Sequence, residues 1–145
     1  MIGQQTFYQV GADIAVTSSV ALVSTGLTSP IAANQRQKLR FWVPFSVGAT
    51  GGVRAQVVVP AGGSLFIASI KLFNTVAPSL TTAVQTASAA FTNAAANAGN
   101  HWLEIEVDVT NGATAGNVDL QMAQNTSDAL TLTILKGGTA NVVKF

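Results

Sequence analysis

The chain has no cysteine, one histidine, and charged residues at only 9% of its 145 positions. Each shortage excludes something. Without Cys there is no disulfide framework. A domain of about 150 residues buries roughly 70% of its unfolded surface and needs neither disulfide nor metal to hold a core. A lone His101 cannot build a His-based metal site or a catalytic triad, since both need several convergent groups. Seven Lys and Arg against six Asp and Glu leave a formal charge of +1. Phosphate contacts need a basic stripe, and Arg36, Lys38, Arg40 and Arg54 are the only local excess, so no nucleic-acid partner is expected. No segment approaches the roughly 20 apolar residues of a membrane helix, so no membrane partner is expected either. The start Met-Ile-Gly-Gln-Gln-Thr-Phe lacks the basic opening and apolar run of a secretory signal.

Scarce charge also shapes the surface. Ordinary soluble domains carry about 25% charged residues. Here Thr, Ser, Asn, Gln and backbone must cover the exterior, and such a surface is poorly defended against association. A subunit that buries much of its outside in an assembly fits this composition.

What the chain does have is period-two alternation. In Trp102 to Val109, Leu103, Ile105, Val107 and Val109 point one way, and Trp102, Glu104, Glu106 and Asp108 point the other. That pattern marks a strand buried on one face. Lys38 to Val47 repeats it, with Leu39, Phe41, Val43, Phe45 and Val47 inward; Pro44 suggests an edge or a bulge. Val53 to Val59 reads as its return strand in a hairpin across Gly48–Gly52. Ser64 to Phe73 is apolar on both faces, as if covered on both. Val118, Leu120 and Met122 face inward in one further strand, and Leu130, Leu132 and Ile134 in another. A last strand spans Thr139 to Phe145.

Other segments read less plainly. Thr6 to Val16 fits an extended arm or one or two short strands, and Val20 to Val23 a short strand. Gly26-Leu27-Thr28-Ser29-Pro30 reads as a turn, and Thr75 to Thr82 as a loop. Ala83 to Asn100 has helix-favouring Ala content, yet Val84, Thr86 and Ser88 alternate; a strand near Val84 to Ala89 and then a loop or helical turn is the preferred reading. The sum is an all-β, antiparallel, jelly-roll-like β-sandwich of about eight to ten short strands. It divides into an N-terminal extended arm over residues 1–15 and a single β-sandwich domain over 16–145.

The candidates for chemistry are few. Glu104, Glu106 and Asp108 share a strand face, where a glycosidase-like carboxylate pair or a calcium site competes with plain cross-strand pairing to Lys71, Arg40 or Arg54. The pairing reading is preferred. Asp119 and Asp128 lie near turns but in no EF-hand loop. The Gly-rich stretches after Val47 and Lys136 lack Walker spacing and read as hairpin loops. His101, at a strand start, reads as structural or solvated. Trp42 and Trp102 fall on outward faces, where an interface or second-layer role is preferred over a carbohydrate platform. The interface candidates are Phe7, Tyr8, Trp42, Phe66, Ile70 and Trp102. No catalytic residue, metal or cofactor is expected, and the chain is not expected to be an enzyme.

From about Val16 onward the chain resembles small β domains of tailed-bacteriophage structural proteins. The resemblance is carried by Thr25-Gly26-Leu27, Ile31-Ala32-Ala33-Asn34 and Leu39-Arg40-Phe41-Trp42-Val43, followed by the Ala49-Thr50-Gly51-Gly52 loop with Val53-Arg54-Ala55 and the Pro60-Ala61 turn. Asn97-Ala98-Gly99-Asn100-His101-Trp102, Gly112-Ala113-Thr114-Ala115-Gly116 and Leu120-Gln121-Met122-Ala123-Gln124-Asn125 complete it in order. It implies a virion role, either as a head decoration (cement) protein or as a tail or fibre module, with assembly as a homotrimer. A stand-alone domain with an extra N-terminal arm implies decoration of the head exterior, with copies of itself and the major capsid protein as partners. The alternative is a tail or fibre domain recognising host glycan. The resemblance places no active site.

Overall fold

A computed structural model describes residues 4–48, 51–74, 79–85, 90–93 and 98–145. These form twelve strands: β1 (Gln4–Gln9), β2 (Ile14–Val16), β3 (Val23–Ile31), β4 (Arg36–Val47), β5 (Val53–Val58), β6 (Ser64–Asn74), β7 (Ser79–Gln85), β8 (Phe91–Asn93), β9 (Gly99–Thr110), β10 (Gly116–Ala123), β11 (Leu132–Ile134) and β12 (Thr139–Lys144). Eight make one antiparallel sheet in the order β1-β12-β4-β9-β6-β7, with β11 pairing both β4 and β2. Four make the other, in the order β3-β10-β5-β8. The chain crosses between sheets at eight of the eleven connections between these strands, which is the jelly-roll form of the β-sandwich. The β6–β7 hairpin widens the larger sheet beyond β9.

The core lies between the sheets. Leu39, Phe41, Val43 and Phe45 from β4, and Leu103, Ile105, Val107 and Val109 from β9, are all buried. Opposite them sit Leu27 and Ile31 of β3, Val53, Ala55 and Val57 of β5, and Val118, Leu120 and Met122 of β10. Leu27 and Ile31 apart, these are the faces that alternation assigned inward. One polar link crosses the core. Ser29 Oγ donates to Gln37 Oε1 at 3.3 Å, and Gln37 Nε2 donates to the Pro30 carbonyl at 2.7 Å, so both buried side chains are satisfied.

Several sequence expectations are corrected. β4 and β5 are not a hairpin: β4 pairs with β9, β12 and β11 in the larger sheet, while β5 pairs with β10 and β8 in the smaller. Two inward apolar faces satisfy alternation equally well as neighbours in one sheet or as opposing walls of a sandwich. Pro44 lies in an interior strand. It sits where the partner on one side changes from β12 (Trp42↔Thr139) to β11 (Phe45↔Ile134), a gap in which no N–H donor is required. Its carbonyl still accepts from the Leu135 N–H at 3.0 Å. Gly26 to Pro30 is not a turn but part of β3. A bulge there fits four residues against two of β10; Gly26 takes φ 76°, and Thr25 Oγ1 bonds the Leu120 carbonyl at 2.8 Å. Pro30 is tolerated because β3 is an edge strand.

β6 is not apolar on both faces. A register shift between Ile67 and Ser69 inserts one residue, so Leu65, Ile67, Ile70 and Leu72 all point inward. Of the six large apolar side chains in this stretch, Phe66 and Phe73 remain on the outer side. Of the two readings of the N-terminal segment, the structure has the short strands: β1 zips onto β12 from Gln4↔Lys144 to Gln9↔Thr139, and β2 pairs with β11. Leu130, expected inward, is 55% exposed because β11 begins only at Leu132. Val20 is exposed, and the strand expected there starts at Val23. Strand β7 starts at Ser79, inside the expected loop; the expected strand near Val84 runs on to residues 86–89, which lie outside the described residues. Twelve strands exceed the expected eight to ten; β8, only three residues long, shows no readable period.

Candidate functional site

The chemistry-bearing side chains converge on the outer face of the larger sheet. Strands β4 and β9 pair over their whole length, from Arg36↔Thr110 to Val47↔Gly99. Period two then puts Arg36, Lys38, Arg40 and Trp42 of β4 on the same outer face as Asp108, Glu106, Glu104 and Trp102 of β9. Arg40 faces Glu106, Lys38 faces Asp108, and Trp42 faces Glu104. From the other side, β6 brings Lys71 opposite Glu104 and Phe66 opposite Asp108. Every outward charge on β4 is positive and every one on β9 is negative.

Glu104 is the electrostatic centre. Its side chain is only 3% exposed, although it belongs to the outer face. Trp42 and Lys71 flank it across the sheet, and Trp102 and Glu106 along its strand. Arg40 Nη2 donates to Oε2 and Lys71 Nζ to Oε1, both at 3.0 Å. Burial pushes the Glu104 carboxyl up, but the Lys71 and Arg40 hydrogen bonds and their charges outweigh it and hold the group below 4.5. The Glu104 carboxylate in turn raises Arg40. The remaining pairs are exposed: Arg36–Asp108 at 3.1 Å, Arg40–Glu106 at 3.6 Å and Lys38–Asp108 at 3.8 Å. Such pairs contribute about 0–1 kcal/mol each.

A pH prediction follows from the lowered Glu104. A carboxyl depressed in the fold adds stability that is complete above its unfolded value near 4.5 and is lost as pH falls through the lower folded value. The denaturation midpoint should therefore drop below pH 4.5, and Glu104→Gln should flatten that drop while lowering the midpoint at pH 7. Urea melts of both proteins at pH 7 and pH 3 check it. Equal acid losses in the two would mean that Glu104 does not carry the effect.

Beside the ion pairs stands an aromatic cluster. Trp42 packs edge-on to Trp102 at 5.6 Å and stacks with Phe73 at 6.3 Å, and the Arg40 guanidinium lies 5.8 Å over the Trp42 ring. A groove of about 390 Å³ runs next to it, lined among others by Lys38, Arg40, Phe66, Asp108 and Val143.

The six interface candidates separate. Phe7 (68% exposed), Trp42 (37%), Phe66 (47%) and Trp102 (38%) all stand on this outer face. Tyr8 is partly buried against the core, and Ile70 is inside it at 1% exposure, so the β6 bulge removes Ile70 from any surface. Arg54 lies on β5 in the other sheet and meets none of the three carboxylates expected for it, whereas Lys71 and Arg40 do pair as expected. His101 is buried, its ring 5.4 Å from Phe45, which makes it structural. Both oxygens of Glu104 are engaged by cations, an arrangement suited to holding a surface together and not to proton transfer. Among the described residues no group of three His, Cys, Asp or Glu is placed to hold a metal ion, and no helix is long and apolar enough to cross a membrane. Phe73 and Val143 are members of this face that periodicity alone did not single out; the parity shift in β6 and the β12–β4 pairing put them there.

The strand order and this face define an all-β jelly-roll sandwich. Neither a protein-family model nor a curated protein sequence matches the chain. Among solved structures it is similar to a chain of infectious bursal disease virus strain Gx, at 9% identity over 97% of this chain and 40% of that one, with a TM-score of 0.24. It is also similar to VP2 in the subviral particle of that virus (10% identity, 97% and 40% covered, TM-score 0.25) and to a chain of the Gt strain (11%, 99% and 42%, TM-score 0.22). The chain thus spans about 40% of the length of these proteins. At such TM-scores the likeness carries no argument about function, and the fold rests on its own strand order.

Proposed function

We propose that this chain is a virion structural protein of a tailed bacteriophage, a decoration protein on the head exterior that packs beside copies of itself and on the major capsid protein. The observation that carries this reading is the gathering of Phe7, Trp42, Phe66 and Trp102, all exposed, on one face of a domain with only 13 charged side chains. Exposed aromatic side chains on one sheet face suit it to packing against another molecule. The phage resemblance of the sequence supplies the setting. Non-enzymatic packing is the role proposed.

A second reading is a tail or fibre domain that binds host glycan. The Trp42–Trp102 pair beside Arg40 favours it, because sugar rings stack on indole while charged side chains bond hydroxyls. Negative-stain imaging of virions labelled with an antibody to this chain separates the two. Head label is expected. Tail label, with glycan-array binding lost in Trp102→Ala, would favour the second reading, and unlabelled virions would sink both.

A further inference from the structure

The charge stripes on the outer sheet face have a symmetry that selects a partner. Arg36, Lys38 and Arg40 form a cationic stripe on β4; Glu104, Glu106 and Asp108 form an anionic stripe on the adjacent β9. Consider a second copy laid face to face on this sheet, related by a two-fold axis that runs along the strands between β4 and β9. Rotation about that axis carries each copy's β4 over the other's β9. Lys38 then meets Asp108 of the second copy, and Arg40 meets its Glu106. The same operation carries β6 over β12. Phe66 lies in the row of Asp108, Lys38 and Val143, so it meets Val143 of the second copy. The cationic stripe lies on cations only if the copy is turned the other way.

We infer that this face is an isologous contact between two copies of the chain. Its cations are suited to a second set of partners. Arg36, Lys38 and Arg40 are 61%, 63% and 52% exposed, and each has more N–H donors than its pair within the chain uses. The groove lined by Lys38, Arg40, Phe66 and Val143 gives those long side chains room between the sheets. Aligned sheets pack about 10 Å apart with strands within about 30° of each other, an arrangement this axis permits. The aromatic side chains supply the binding energy; the charges set register and partner, since desolvated ion pairs add little net affinity. An isologous contact closes at two, whereas the phage resemblance implied three. The inference rests on this face being a packing surface and not on the virion assignment, so unlabelled virions would leave it standing.

Light scattering and sedimentation of the full chain test it. Wild type should dimerise with rising concentration. Lys38→Glu and Asp108→Lys, each alone, should set like charges opposite one another and dimerise at least about tenfold more weakly. Mixed one to one they should recover a dimer, because Glu at position 38 of one then meets Lys at position 108 of the other. Phe66→Glu, at the contact with Val143 of the second copy, should also yield a monomer. Circular dichroism melts confirm that each variant is folded. A wild-type monomer at all concentrations, a wild-type trimer, a mixture of folded single variants that stays monomeric, or an undisturbed Phe66→Glu dimer would each overturn the two-fold contact.

Discussion

A chain lacking residues 1–16 is expected to lose about 4 kcal/mol or more of stability and to aggregate on concentration. The segment holds two edge strands. Val10 and Val16 are each 4% exposed, and Tyr8 and Ile14 pack against the core from its margin. Burying one Val contributes about 1.5–3 kcal/mol, so two of them with two partial contacts reach the figure above. Truncation also strips β12 of its pairing from Gln4↔Lys144 to Gln9↔Thr139, and strips β11 of β2. Both then present unpaired backbone to other molecules. Chemical denaturation and light scattering of the truncated chain measure the two effects. An unchanged midpoint in a clear solution would mean that this segment adds nothing to the folded sandwich.

Ile70→Ala should destabilise the protein by about 2–5 kcal/mol, whereas Phe66→Ala should change stability by less than about 1 kcal/mol. By sequence both residues stand as interface candidates. The bulge separates them. Ile67 pairs with Val107 and Ser69 with Glu106, so β6 spends two residues where β9 spends one. Side-chain parity flips at that point, and Ile70 enters the core at 1% exposure while Phe66 stays 47% exposed. Deleting the Ile70 side chain opens a cavity between sheets; deleting the Phe66 ring removes a half-solvated one. Urea melts of the two variants decide the matter. A harmless Ile70→Ala would mean that the alternation runs unbroken through β6.

Which side of a strand is buried was written in the sequence wherever the period ran clean. Leu39 to Val47, Val53 to Val57 and Leu103 to Val109 face inward as alternation assigned them, because a sheet with one wet face admits only one parity. The outward set of β9, and its pairing with Arg40 and Lys71, was legible for the same reason. The burial of Glu104 was not, since it depends on Trp42 arriving from a neighbouring strand and Lys71 from an added hairpin.

Composition and alternation by themselves determined an all-β sandwich with a charge-poor exterior. Which strands are neighbours, and where parity breaks, only the tertiary structure decided. Alternation records the distance of a side chain from water and carries no label for the partner beside it. The split of β4 and β5 between sheets, the capture of the N-terminal segment as β1 and β2, and the reversal at Ile70 all follow from pairing over long sequence separations, where backbone hydrogen bonds between strands choose among arrangements that bury the same faces equally well.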